Sequence, residues 1–499
     1  MSNPLQEAID RAALQPVPTT RVLIGGQLVA AATGATFEAR SSIDNALLAK
    51  LPACGAADVD RAVAAARAAF AKRSWCGMRP KDRKVILRRW SDLVAREALS
   101  LAVLETRDMG MPIGMAQNLD IAFAVDTLSW YAETADKLYD ELVTLEDNVT
   151  AMISRMPLGV VGAILPWNAP AMIGAWKMAP ALVAGNSVIV KPSEEASLVM
   201  MRIVELAVQA GMPEGVLQIV TGDGGVGRAL AEHQDVDCIT FTGSTATGRR
   251  VMEAAAASNL KRVSLELGGK SANLVFADAP NLAMAADVSV GFMFSNQGQV
   301  CEAPTRLLVQ RSAMGEFTEL VLARARKLKI GTPLDLANDL GPIVNRRQYD
   351  QIGASIERAA SEGTTFAIDG RNATGPAGGC YMGPSVAVEV DPGSDLAQQE
   401  VFGPVLCMMG FDTEEEALSL ANGTKYGLGA SVWSGSVDRV LRVTQRLVAG
   451  NINVNGGAGP VVELPFGGFK QSGFGRDRSL HAIEKYSDLK NVILRTAPA

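Results

Sequence analysis

The chain has 499 residues, 48% of them hydrophobic, which is enough for two or three domains with sizeable cores. Lys and Arg total 47 against 53 Asp and Glu, a net charge of −6 that offers nothing to a nucleic-acid backbone. The opening MSNPLQEAID lacks a basic start with an apolar core, and the most apolar long window, 169–190, is interrupted by Pro170, Lys177, Pro180 and Asn186; no secretory signal and no membrane span is expected, and a cytoplasmic location is.

Residues 22–29 read as a strand pair around Gly25-Gly26, followed by an alanine-rich helix (57–71) and a basic one (81–96). Ile121, Val125, Leu128, Ala132, Ala135 and Tyr139 recur at helical spacing and form an amphipathic face. Leu142, Val143, Leu145, Val149, Ala151 and Ile153 then alternate with polar residues, as in strands exposed unless a partner covers them; 489–494 could supply an added strand. From Val160 short apolar runs alternate with helices: 160–165, 187–190, 216–220, 238–241, 263–267 and 272–275. That alternation argues for a parallel sheet in a doubly wound α/β domain. A second set, 306–309, 365–368, 404–409 and 429–433, suggests a second α/β domain. There is no internal repeat and no long linker.

The six cysteines, Cys54, Cys76, Cys238, Cys301, Cys380 and Cys407, are scattered without a C-x-x-C pair, so neither a disulfide framework nor a metal site is expected. The two histidines, His233 and His481, sit in charged contexts read as exposed. A Cys-His or Ser-His hydrolase therefore has few bases to draw on, and a carboxylate is the better candidate.

Five stretches carry chemistry. In 291–306 an apolar helical run breaks at Ser295, Asn296, Gln297 and Gly298 into a turn that presents Cys301 as a nucleophile; a small buried thiol is the competing reading. The strand at 238–241 runs through Gly243, Ser244, Thr245 and Gly248 into a helix, which aims backbone N–H groups at a phosphate. Thr245 replaces the middle glycine of the usual fingerprint and implies a looser grip, and the same turn suits any ordinary strand-to-helix connection. Lys191, held extended before Pro192, and Glu194 after Ser193 end another strand, where they could take the hydroxyls of an adenine ribose or simply cap a helix. Glu266 lies at an apolar strand end before a flexible Gly268-Gly269, where desolvation raises a carboxyl toward the range of a general base; a structural ion pair is the alternative. Asn168, after Pro166-Trp167, stands at a fourth strand end, where its amide could donate to a developing oxyanion.

Taken together, PWN at 166, KPSE at 191, FTGSTATG at 241, LELGGKS at 265, NQGQVC at 296, EVFGPV at 400 and PFGGFKQSGFGRD at 465 resemble the NAD(P)-dependent aldehyde dehydrogenase superfamily over essentially the whole chain. The texture of SWCGM, YAETADKLYDEL and SGFGRDRSLHAIEKYSDLK is most similar to the branch containing γ-glutamyl-γ-aminobutyraldehyde and betaine aldehyde dehydrogenases. The resemblance implies a Rossmann-type NAD-binding domain (1–139 and 156–267), an α/β catalytic domain (268–479) and a small β-ribbon (140–155 and 480–499) that joins a homodimer or homotetramer. It implies Cys301 as nucleophile, Glu266 as base, Asn168 with the Cys301 N–H as oxyanion hole, and Lys177 beside the base. For NAD it implies Leu165, Pro166, Trp167, Lys191, Ser193, Glu194, Gly224, Gly243, Ser244, Thr245, Gly248, Leu267, Glu400 and Phe402. Glu194 should favour NAD over NADP by repelling a 2′-phosphate.

Some positions depart from the family pattern. Ala169 and the segment GGAGPVVELP stand where many relatives have aromatics, which leaves a wider pocket lined by Ala169, Met172, Trp176, Val300, Glu302 and Phe466. The implied substrate is a bulky or extended aldehyde, with a cationic aminoaldehyde as alternative on account of Glu302 and Glu463. Asp477 replaces a glutamate common after SGxGR. A CoA-acylating enzyme on the same scaffold typically lacks a glutamate at the base position, so Glu266 argues against it. The intact Cys301, Glu266 and Asn168 argue against a non-catalytic protein of this fold.

Overall fold

In the computed structural model, which describes residues 3–457 and 459–496, the apolar runs after Val160 build a six-stranded sheet. Residues 1, 2 and 497–499, expected in the cofactor domain and the ribbon, and Ala458 of the expected pocket loop, lie outside the described residues. The sheet runs Gly473–Phe474, Arg262–Glu266, Cys238–Thr242, Val160–Ile164, Ser187–Lys191, Leu217–Ile219, with all neighbours parallel except the first pair. Strands buried on both faces need no polar alternation, which is why they read as unbroken apolar runs. The order reverses between Val160–Ile164 and Cys238–Thr242, and a crevice opens beyond the carboxyl ends of the strands at such a reversal.

A seven-stranded sheet follows in the order Thr365–Ile368, Ser385–Val388, Val405–Phe411, Arg306–Gln310, Ala272–Val275, Gly429–Trp433, Asn451–Val454. Here one expectation fails: Ala272–Val275 does not extend the first sheet but sits between Arg306–Gln310 and Gly429–Trp433. Its texture matches the preceding strands, and only the turn at Gly268-Gly269 carries the chain from one sheet to the other. Ser385–Val388 and Asn451–Val454 were not anticipated, being short and, in the second, interrupted by asparagines. Gly473–Phe474, from the stretch expected in the second domain, closes the edge of the first sheet against Leu265 and Glu266.

Helices Ala56–Ala71 and Pro80–Arg96 lie where the periodicity placed them. The face beginning at Ile121 does not reach Tyr139, because the helix stops at Thr134 and Tyr139 is 80% exposed where the chain runs out toward Glu141–Glu146. That strand pairs with Val149–Pro157, which in turn pairs antiparallel with Ser487–Arg495. The resulting ribbon leaves Leu142, Leu145, Leu489 and Ile493 exposed. Among the described residues, no helix is long and apolar enough to cross a membrane.

Candidate active site

The segment after helix Leu282–Phe294 is not the solvated turn its polarity implies. Asn296, Gln297 and Gln299 are buried, and Asn296, Gln297 and Gly298 take positive φ values of 46°, 57° and 69°. Amide side chains hold this costly backbone in place. Gln297 donates to Gly110 O (3.2 Å) and Pro342 O (2.8 Å) and accepts from Gly341 N (3.0 Å). Gln299 accepts from Val344 N at 3.0 Å, and Asn296 donates to Asn168 O at 2.8 Å. At Gly298 a Cβ would lie 2.3 Å from Gly403 O, so only glycine fits. Cys301, half-buried, follows this pinned loop. Burial, then the nearby Glu302, Glu400 and Glu266 carboxylates, push its thiol up, so it rests protonated.

Asn168 meets the loop from the other side. Asp120 accepts from Ala171 N (3.0 Å) and Met172 N (3.2 Å), capping the helix Pro170–Ala184 that starts just beyond it. Asn168 Nδ2 donates to Gln299 O at 2.9 Å, and a primary amide has a second N–H to offer. Glu266 ends its strand almost fully buried, with neither carboxylate oxygen hydrogen-bonded. Burial, with Asp477 adding, raises its carboxyl well above the ordinary range, while Lys177, Lys485 and Arg476 oppose the shift. The ion-pair alternative for Glu266 is thus not what the geometry contains. The glycines after it are not there for flexibility: a Cβ on Gly268 would sit 2.1 Å from Glu400 Oε2, and one on Gly269 2.3 Å from Cys301 O.

Lys177, one residue past Trp176 on the helix, is fully buried and reaches Asp477 Oδ2 (3.0 Å) and Thr240 Oγ1 (3.1 Å) without lining the tunnel itself. Asp477 also accepts from Lys485, so one buried carboxylate serves two ammonium groups. Burial alone would raise Asp477, but Lys177 and Lys485 hold it below the ordinary range; burial lowers Lys177. Sequence reasoning missed Lys485 because nothing in the pattern links this residue of the short helical segment Leu480–Tyr486 to Asp477, eight residues earlier.

Two cavities meet at Cys301. The first, about 1150 Å³, is a groove over the strand-order reversal, lined by Leu165, Pro166, Trp167, Lys191, Ser193, Glu194, Gly224, Gly243, Ser244, Leu267, Glu400 and Phe402. Thr245 and Gly248, expected there, are not in its wall, while Thr247 and Arg250 are. Gly248 instead lets its helix press onto Leu267, whose Cδ2 would lie 2.7 Å from an added Cβ. Ser244 caps that helix through Thr247 N, 3.3 Å away, and leaves its N-terminus facing the groove. Lys191 Nζ reaches Glu194 Oε2 at 3.1 Å, with the lysine buried and the carboxylate 41% exposed. These are the donors and the glycine-floored approach a dinucleotide needs. Glu400, expected on the nicotinamide ribose, already accepts from Gly269 N at 2.9 Å; burial raises it to about 7. Phe402 stands edge-on to Trp167, ring centroids 5.3 Å apart.

The second cavity, about 1020 Å³, is a tunnel lined by the expected Ala169, Met172, Trp176, Val300, Glu302 and Phe466, together with unforeseen Leu119, Phe292 and Arg478. Trp176 and Phe466 stand 5.2 Å apart. Burial raises Glu302 to about 7. Glu463 points to solvent and does not line the tunnel. Asn168, Thr242, Leu267 and Cys301 border both cavities; neither histidine borders either. His233 is half-buried rather than exposed, 3.4 Å from Asp60, because a carboxylate on the neighbouring helix shields it.

Known proteins share this arrangement. The chain is 46% identical over 473 residues to the NADP/NAD-dependent aldehyde dehydrogenase PuuC of Escherichia coli K12, covering 95% of each. A mutant of the Pseudomonas syringae indole-3-acetaldehyde dehydrogenase AldA, solved with NAD+ and IAA, superposes with a TM-score of 0.97 at 43% identity, covering 99% of this chain and 100% of that one. The γ-glutamyl-γ-aminobutyraldehyde dehydrogenase of Burkholderia cenocepacia J2315 superposes at 0.96 with 43% identity, covering 98% and 99%. The model of the aldehyde dehydrogenase family matches residues 28–492, and with these similarities over nearly its whole length the chain belongs to that family.

Proposed function

We propose that this enzyme oxidises a bulky or extended aldehyde to its carboxylic acid with NAD as the acceptor. The observation that carries the reading is that Cys301 borders both the dinucleotide-sized groove and the 1020 Å³ tunnel, so a carbonyl entering by one meets a hydride acceptor held in the other. Residues 1–139 and 156–267 form the cofactor domain in this reading and 268–479 the catalytic domain. Bound in the groove, NAD supplies a hydride acceptor beside the thiol.

Cys301 sulfur attacks the carbonyl carbon and its proton passes to a base. The free Asn168 N–H and the Cys301 N–H hold the oxyanion. When that oxyanion collapses, hydride leaves the carbon and a thioester remains on Cys301. Glu266, unpaired and with its carboxyl raised, takes a proton from water; the hydroxyl adds to the thioester, the C–S bond breaks, and the acid leaves. Lys177 and Asp477 fix the electrostatics beneath Glu266.

The extended-aldehyde version is favoured over the cationic one because, of the two glutamates that would draw a cation, Glu463 is outside the tunnel and Glu302, which lines it, shares it with the cation Arg478. The ribbon, with its exposed Leu142, Leu145, Leu489 and Ile493, is the surface for a homodimer or homotetramer. Free cysteines throughout the described chain suit the reducing cytoplasm. The test is NADH release with an aldehyde panel. Benzaldehyde, citral and octanal should outrun acetaldehyde, and Cys301→Ala should abolish turnover while leaving NAD binding intact. Residual turnover above about a hundredth of the parent, some 2.7 kcal/mol, overturns the assignment of Cys301.

A further inference from the structure

Arg478 holds a guanidinium that the catalytic scheme does not use. Its side chain is 94% buried, since only 6% of the residue is exposed, yet it lines the tunnel between the aromatic pair and Glu302. The guanidinium lies over the Phe466 ring at 4.7 Å and the Trp176 ring at 5.0 Å. Those faces offset part of its desolvation but accept no in-plane hydrogen bond. Among the described residues its Nε has no hydrogen-bond partner, and no carboxylate forms an ion pair with it. The neighbouring Asp477 is committed to Lys177 and Lys485. Glu302, packed against Gly429, and Glu266 are near enough to attract the guanidinium, but neither closes to an ion pair with it. Arg478 and Ser479 sit at φ 60° and 52°, a left-handed backbone that tertiary packing has to impose. A buried cation with open donors is unfavourable unless something completes its shell, and the space beside it is the path of the aldehyde.

We propose that Arg478 is a specificity-determining residue that binds a carboxylate, or an equivalent anionic group, carried by the aldehyde substrate. This rests on the reading of the tunnel as an aldehyde site and names its substrate class. The planar fork suits bidentate carboxylate recognition, and stacking on Trp176 and Phe466 fixes the plane in which that fork is offered. Of the two arginines in the tunnel wall, Arg478 is the one stacked on the aromatic pair, while Asp477 is already committed to two lysines and burial raises the carboxyls of Glu266 and Glu302, so an anionic tail finds its open donors at Arg478.

The test compares matched pairs: succinic semialdehyde against butyraldehyde, and 4-carboxybenzaldehyde against 4-methylbenzaldehyde, in the parent, Arg478→Lys and Arg478→Met. The parent should favour each carboxylated member at least tenfold in kcat/KM. Arg478→Met should remove that ratio, mainly through KM, and Arg478→Lys should keep part of it. Equal rates within each pair in the parent, or an Arg478→Met that slows both members alike, overturns the proposal. Protection of Cys301 from alkylation by succinate against butyrate reads the same preference without turnover, so it still decides if Arg478→Met does not fold or no aldehyde is oxidised. Failure of the extended-tunnel reading is separate, because acetaldehyde would then outrun all four probes whatever the ratios.

Discussion

Replacing Gln297 with leucine should loosen the segment that positions Cys301. Leucine fills nearly the same volume, so little cavity opens, but Gly110 O, Pro342 O and Gly341 N each lose their partner. Leaving a buried backbone group unpaired costs about 1–3 kcal/mol, and partial relaxation of three of them leaves a loss of about 3–6 kcal/mol. Relaxation has a direction, because the left-handed residues at 296 and 297 each store about 1–3 kcal/mol that is released if the loop unwinds. Cys301 moves with the loop. A displacement of about 1 Å at a reacting atom costs about 100-fold in rate. The variant should show a thermal midpoint several degrees lower, slower alkylation of Cys301, and kcat down by about 100-fold with NAD affinity near that of the parent. A midpoint within about 2 °C of the parent together with an unchanged kcat would refute the claim that this amide holds the loop.

Glu266→Gln should accumulate a thioester adduct visible by intact mass; loss of hydride transfer with no adduct would mean the residue acts earlier. Its pH signature has a defined sign. A carboxyl raised by folding favours the native state below its unfolded pKa of about 4.3, and that contribution is lost as pH rises through the higher native value. Glutamine mimics the protonated acid, so the variant should gain thermal stability over the parent at pH 8 and none at pH 4; a gain independent of pH would contradict the buried-acid reading. Glu194→Ser, which removes the carboxylate facing Lys191, should raise kcat/KM for NADP relative to NAD by tenfold or more; an unchanged ratio would place cofactor choice elsewhere. Ile493→Asp, on the exposed ribbon, should shift light scattering toward a smaller species, and an unchanged mass would remove the ribbon from the subunit interface.

The parallel strands of the first sheet and the residues standing at their ends were legible because buried parallel strands, their terminal turns and the turn before Cys301 are each local in sequence. What escaped was set by distant residues. Nothing in LELGGKS says that Glu400 and Cys301 crowd its two glycines, so close approach was taken for flexibility. Ala272–Val275 carries the same apolar texture as strands of the sheet it leaves, and only its pairing with 306–310 and 429–433 distinguishes it. Arg478 drew no reading from its local sequence, because its stacking on Trp176 depends on a helix some 300 residues earlier. Polar composition likewise misled at 295–299, where amides stand in for backbone partners instead of meeting solvent.

The ribbon joins parts of the chain that leave the ribosome at different times. Asn148 contacts Thr496 across 348 residues, so the edge of Val149–Pro157 has no strand to pair with until Ser487–Arg495 has emerged. At about 5–20 residues per second that wait is roughly 20–70 s, during which the apolar hairpin starting at Glu141 is an open template. The three-stranded ribbon is therefore completed after most of the chain has been synthesised. Shortening the C-terminus by ten residues would leave both catalytic cavities chemically intact yet prolong that exposed state indefinitely, turning a step in maturation into a route to aggregation.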